Sequence, residues 1–257
     1  MNEETSTISF QLKYKAKIFS ELVGLESLER QFEYMFRTKW HGNVMFGGPN
    51  GHGKSTLADV FLKRMFCENP SGLDACLVCE TCLYLLDESW CNDIHKISGA
   101  KFTANFEHFE KHLTYVPTKL SRCVGLVEDL DMVDLSLLNK LIDTMDENRN
   151  VLILFTVTNA GRMPLPLLQR CRIIKVPKPS YASLETLIIR ICQEEQIKIR
   201  EKRAIMSLIT FADQTPRIIL SALEMIKGES CELSMEVLNA PSVASNLQQL
   251  TGKYACV

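Results

Sequence analysis

The sequence lacks several features that would narrow its class at once. No apolar run approaches the ~18 residues that a membrane-spanning helix needs, so no membrane partner is expected. The first residues, Met1-Asn2-Glu3-Glu4-Thr5-Ser6, are acidic and polar and do not read as a secretory leader, so the expected location is cytoplasmic. A strong net charge is also missing. The 29 Lys and Arg against 31 Asp and Glu give −2, whereas domains that grip nucleic acid unaided are usually strongly basic. A DNA contact shared among several subunits stays compatible with that charge. There is no internal repeat and no low-complexity segment. What remains is an ordinary globular composition, 46% hydrophobic and 23% charged over 257 residues, enough for one large domain or two smaller ones.

The apolar runs arrange themselves as an α/β core. Asn43-Val44-Met45-Phe46 stops at two glycines, as a buried parallel strand should, and Leu57, Val60, Phe61 and Met65 then recur at helical spacing. Two further buried strands are predicted at residues 123–127 and 151–157, with an amphipathic helix between them carrying Leu137, Leu138, Leu141, Ile142 and Met145 on one face. A strand at 173–176 stops at Pro177-Lys178-Pro179. Alternation of this kind implies a layered core with a mainly parallel sheet. Beyond it, residues 181–196, 201–212 and 216–227 show helical periodicity with no strand candidate between them. The expected division is an α/β domain over 1–177, a small three-helix domain over 178–229, and a tail over 230–257 too short for a further domain.

Between the first strand and its helix lies Gly48-Pro49-Asn50-Gly51-His52-Gly53-Lys54-Ser55, the G-x-x-x-x-G-K-S pattern of a P-loop. Glycines 48, 51 and 53 let successive amides point at phosphate oxygens, and the next helix adds its N-terminal dipole. Lys54 is expected at the β- and γ-phosphates and Ser55 on Mg²⁺, with ATP as the nucleotide. The bland alternative, a glycine-rich turn with an exposed lysine, leaves the strand-loop-helix context unexplained.

Ten cysteines divide into two groups. Cys91, Cys123, Cys171, Cys192, Cys231 and Cys256 are scattered and suit ordinary packing. Cys67, Cys76, Cys79 and Cys82 form C-x8-C-x2-C-x2-C, whose two-residue gaps let thiolates converge on a tetrahedral Zn²⁺. Such a closed site is structural; free thiols on an amphipathic segment are the alternative. His95 lies nearby in sequence and reads as a surface or core histidine. The second strand ends Val127-Glu128-Asp129-Leu130-Asp131, at the sheet edge where an acidic residue of a P-loop ATPase holds Mg²⁺, although an acidic stretch there also suits a solvated loop. The basic run Lys198, Arg200, Lys202 and Arg203 reads as a solvated helix face.

Together these residues resemble the AAA+ clamp-loader subunits of bacterial DNA polymerase III, of the gamma/tau or delta-prime type, from about Phe10 to Lys227. The resemblance implies an AAA+ core with a zinc-module insertion and a small all-helical lid. It places Val23 and Gly24 beside the adenine, extends the phosphate loop from Ser55 to Thr56, and makes the four cysteines a structural zinc module. Glu128 and Asp129 fall at the acidic pair, with Glu128 expected to serve Mg²⁺ and Asp129 to position the attacking water. Thr158 falls at the polar sensor of the next strand, with Asn159 as the alternative. Arg170, in Gln169-Arg170-Cys171, falls where the family's arginine reaches a neighbouring subunit's ATP, and Arg217 where an arginine covers the γ-phosphate. The bland reading of Arg170 and Arg217 is a solvated surface charge. Other clamp-loader subunits, a sliding clamp and primed DNA are the implied partners, and ATP hydrolysis is the implied reaction.

The chain departs from the pattern at the acidic pair, where Glu128-Asp129 inverts the family's Asp-Glu, and at Gln169, which replaces serine. Set beside the family, these residues lead one to expect its third, oligomerising domain to be absent or reduced to the tail. Two alternatives therefore stand beside the ATPase: a subunit that binds nucleotide with little hydrolysis, and an AAA+ ATPase of another DNA process.

Overall fold

A computed structural model describes residues 8–87, 92–148 and 150–251. Cys91, Cys256 and the segment Met1–Ser6 lie outside them. A one-turn helix α1 (Phe10–Lys13) leads through an irregular arm to α2 (Glu29–Arg37), β1 (Asn43–Gly47) and α3 (Lys54–Phe66). Then follow α4 (Glu80–Leu86), β2 (Ile94–Ser98), α5 (Gly99–Leu113), β3 (Val124–Glu128) and α6 (Leu135–Glu147). The core closes with β4 (Leu152–Val157), α7 (Leu165–Gln169) and β5 (Cys171–Lys175).

The five strands form one parallel sheet in the order β2-β3-β4-β1-β5. Strand alternation divides its faces. Val44 and Phe46 pack with α2 and α3 on one side, whereas Met45, Val127, Ile153 and Phe155 pack with α5, α6 and α7 on the other. β4 is buried throughout, as its unbroken apolar run requires. The amphipathic face predicted for α6 is buried at Leu138, Leu141, Ile142 and Met145, with Leu137 only partly covered. The order places β4 between β1 and β3, with Gly47 opposite Val157 and Val127 opposite Phe155. Three chain segments therefore leave the carboxyl edge side by side, the place where ligands bind in open parallel sheets.

The remaining elements are α8 (Tyr181–Glu194), β6 (Lys198–Ile199), α9 (Lys202–Phe211), α10 (Pro216–Glu229), β7 (Glu232–Leu233), α11 (Met235–Asn239) and α12 (Pro241–Thr251). They share a core of their own around Leu184, Ile188, Leu208, Ile219 and Leu223, closed by Leu238, Val243 and Leu247. The three predicted helices are present. The expectation of no strand among them is corrected by the two-residue pair β6–β7, too short to leave an apolar run. Residues after 230 add two helices to the same cluster.

The N-terminal segment also joins this cluster, through Phe10 and Tyr14. Glu195, at the end of α8, accepts hydrogen bonds from Lys13 and from the Tyr14 hydroxyl, each at 2.5 Å, and pairs with Lys227. Burial pushes its carboxyl up, but the bonds from Lys13, Lys227 and Tyr14 outweigh burial and bring it down to about 2. Two residues on, Lys15 reaches Asp59 of α3 at 2.5 Å, so the arm ties the helical cluster to the sheet layer. Gly24 lies on the same arm at φ +76, where a Cβ would stand 2.5 Å from Pro179 Cα; only glycine fits there.

Candidate functional site

The P-loop lies where the motif requires, between β1 and α3. Gly53 takes the N-cap of α3 at φ 82 and no side chain caps the helix. The first turn's backbone donors therefore have no intrahelical acceptor, which is the arrangement that receives an anion. Gly51 sits at φ +77, and a Cβ there would stand 2.5 Å from Thr215 Cγ2. The loop is thus packed directly against the start of α10, and the Arg217 amide donates to the Gly51 carbonyl at 3.5 Å.

A cleft of about 240 Å³ opens over this loop, lined by Gly51, Lys54, Ser55, Thr56, Asp129, Asp131, Thr158 and Arg217 among others. These residues come from four segments far apart in sequence: the P-loop, the end of β3, the end of β4 and the start of α10. Lys54 is 6% exposed and donates to the Pro49 carbonyl at 3.1 Å and to Asn50 Oδ1 at 3.3 Å. Burial pulls its ammonium below the usual lysine range, while Asp129 and Asp131 act the other way. An ammonium so desolvated gains most from a phosphate. His52, buried on the same loop, binds the Asn50 carbonyl through Nδ1 at 2.9 Å. Burial, aided by Lys178, lowers its pKa, so the ring favours its neutral form.

The other expected site residues divide clearly. Gly48 opens the loop directly after β1 and outside the cleft lining, its amide bonded to the Val157 carbonyl at 3.1 Å. Glu128 and Asp129 do not face the cleft together. Asp129 lines it from a left-handed backbone position, φ 52, with its amide bonded to Thr156 Oγ1 at 2.9 Å. Glu128 is not among the lining residues; Lys96 of β2 stands 3.6 Å from its Oε1 and also 3.4 Å from Asp59. The backbone explains the difference: β3 ends at Glu128, and Asp129 already lies in a left-handed turn beyond the strand, so the two side chains leave different backbone geometries. Thr158 lines the cleft and donates to Asn50 Oδ1 at 3.1 Å. Val23 is set against the helical cluster, lining a separate groove with Glu26, Ser183 and Arg190. Arg170 is outside the cleft, pairing with Asp146 through Nε at 2.8 Å and Nη2 at 2.5 Å. Asn50 and Asp131 are cleft residues that motif spacing alone does not reveal.

The four cysteines converge. Their Sγ atoms all lie within 4.8 Å of one another, close to the ~3.8 Å edge of a tetrahedron with ~2.3 Å metal–sulfur bonds. Amides of Cys76, Cys79 and Cys82 donate to the sulfurs of Cys67, Cys76 and Cys79 at 3.2, 3.3 and 3.4 Å. Amides of Val78 and Cys79 pull the Cys76 thiol down to about 6, whereas burial pushes the thiols of Cys67 and Cys82 up. Thiolates supported by N–H donors in a closed cluster can hold a metal ion. His95 takes no part. It packs against His108, Phe109 and His112, in keeping with the packing reading. Of the basic run, Arg200 pairs with Glu232 and Lys202 with Glu185, both on the protein's own surface.

Comparison with known proteins agrees with this architecture. The profile of the family described as "DNA polymerase III, delta subunit" matches residues 25–180. DNA polymerase III subunit gamma/tau of Mycoplasma genitalium is 25% identical over 224 residues, covering 86% of this chain and 37% of that protein. Subunit tau of Bacillus subtilis is 22% identical over 256 residues, covering 96% and 45%. This chain thus spans less than half the length of either relative. Among solved structures, the Thermotoga maritima RuvB Holliday junction branch migration motor superposes with TM-score 0.63 at 17% identity, covering 92% of this chain and 72% of that one. At that identity the likeness establishes the AAA+ fold. Among the described residues no helix is long and apolar enough to cross a membrane. With the profile matched over more than half its length, the chain belongs to the DNA polymerase III delta-subunit family.

Proposed function

We propose that the chain is an ATP-binding subunit of a cytoplasmic clamp-loading complex, helping to place a sliding clamp on primed DNA together with other subunits of that complex. The observation that carries this reading is the cleft itself, where Lys54, Ser55, Asp129, Thr158 and Arg217 meet over an uncapped helix start. Lys54 and the loop amides would bind the phosphates, Arg217 would cover the γ-phosphate, and Thr158 would orient the group that attacks it. Ser55 and Asp129 would hold Mg²⁺, which when bound neutralises charge on the phosphate oxygens. Arg170, on the surface outside its own cleft, would serve a neighbour's. The α/β layer to about residue 177 and the helices beyond it act as core and lid, joined by the contact of Gly51 with Thr215. Four thiolates would hold Zn²⁺ as a structural ion.

The pairing of Glu128 with Lys96 favours a second reading, in which nucleotide is bound but turned over slowly. Displacing a catalytic carboxylate by ~1 Å can cost ~100-fold. Single-turnover hydrolysis by the assembled complex separates the two, with Asp129→Ala as the comparison. A rate that falls in the variant supports the ATPase; equal rates for both proteins sink it for this site. Recovery of a sliding clamp or polymerase subunits with the tagged chain supports the clamp-loading role, and their absence would contradict it.

A further inference from the structure

Asp131 lies on the turn after β3 and has no task in the P-loop pattern. Its Oδ2 accepts the Thr158 amide at 2.5 Å and its Oδ1 accepts the Asn159 amide at 3.2 Å. Both amides belong to the chain just beyond β4, where the sheet ladder has ended and other acceptors are needed. Thr158, held this way, donates its hydroxyl to Asn50 Oδ1, and the same oxygen accepts from Lys54 Nζ. One carboxylate thus fixes the strand end whose hydroxyl meets the phosphate-binding lysine's partner, while itself lining the cleft.

We propose that Asp131 is the positioning residue for Thr158. It fixes the threonine at the end of the cleft where a γ-phosphate would lie, so that the site distinguishes a nucleoside triphosphate from a diphosphate. This inference rests on the reading of the cleft as a nucleotide site. A carboxylate suits the task because it accepts two N–H bonds with no donor of its own. An asparagine has one acceptor oxygen and would turn its NH₂ toward the second amide.

The test compares dissociation constants for ADP and for the slowly hydrolysed analogue ATPγS, with Mg²⁺ present, in the full chain. A hydrogen bond to a charged phosphate is worth about 10- to 100-fold in affinity, and the wild type should prefer ATPγS by a factor in that range. Asp131→Ala and Thr158→Ala should each lower the preference by about tenfold or more, leaving the share that Lys54 and Arg217 supply, with ADP binding changed less than about threefold. The double variant should lose nothing more, because the two residues act as one unit. Asp131→Asn, with the same shape, should lose at least about threefold of the preference by forfeiting one acceptor. It carries the test if the alanine variant melts below the assay temperature.

An Asp131 variant that keeps the wild-type preference would overturn the proposal, as would additive losses in the double variant. If the wild type binds both nucleotides equally, the nucleotide site stands and this proposal falls. If it binds neither, both fall.

Discussion

Replacing Glu195 with glutamine should lower stability at neutral pH by about 2 kcal/mol, and the loss should vanish in acid. The carboxylate side chain is 2% exposed and receives Lys13, Tyr14 and Lys227. Moving its pKa from an ordinary 4.5 to about 2 sets a ceiling of about 3.4 kcal/mol, at 1.36 kcal/mol per pKa unit. The two ammonium groups are 50% and 43% exposed, so water screens them and roughly half the ceiling is a fair expectation. Because the folded pKa is depressed, the stabilisation is complete above about 4.5 and fades as pH falls toward 2. Glutamine does not titrate, so its gap from wild type isolates this carboxyl from all the others. Urea unfolding at pH 7 and at pH 3.5 would measure it, with a gap of about 2 kcal/mol shrinking by about 1 kcal/mol. No gap at pH 7, or the same gap at both, would refute the reasoning.

Gly51→Ala places a methyl at a left-handed φ and against Thr215 Cγ2, costing about 1–2 kcal/mol from the backbone alone. Nucleotide affinity by titration calorimetry should fall roughly tenfold, and Thr215→Ser, which removes the opposing methyl, should recover part of it. Stripping metal with a chelator, or Cys82→Ser, should expose residues 67–86, which hold Leu77, Leu83 and Tyr84, to chymotrypsin while leaving nucleotide binding in place; metal analysis should show one zinc per chain before treatment and none after. Arg170→Ala in the assembled complex should slow hydrolysis by at least ~1,000-fold, the lower end for an arginine acting in trans; an unchanged rate would leave Arg170 as the surface partner of Asp146.

The fold was legible where burial is two-sided. β1, β3 and β4 are continuous apolar runs because both faces are covered. β2 carries no such run: among the described residues Ile94-His95-Lys96-Ile97-Ser98 is an edge strand paired with β3 alone, and half its positions can stay polar. α5 follows it with Phe102, Phe106, Phe109 and Leu113 buried at helical spacing, a signal present in the sequence though no apolar run marks it. The P-loop and the cysteines were legible because their chemistry depends on local spacing. Asp131 and Asn50 were not, since their roles arise only when strand order brings residues 50, 131 and 158 together. The acidic pair shows the same limit: adjacency suggested two carboxylates in one site, whereas Glu128, the last residue of β3, meets Lys96 and Asp129, in the left-handed turn beyond the strand, lines the cleft.

The central claim is tested most directly by titrating the protein with ATP and Mg²⁺ in a calorimeter, beside Lys54→Ala. One ATP per chain for the wild type is expected, with affinity at least ~100-fold weaker in the variant, because a buried ammonium facing phosphate is worth about 3 kcal/mol or more. Absence of ATP binding, or equal affinity in the two proteins, would contradict the account.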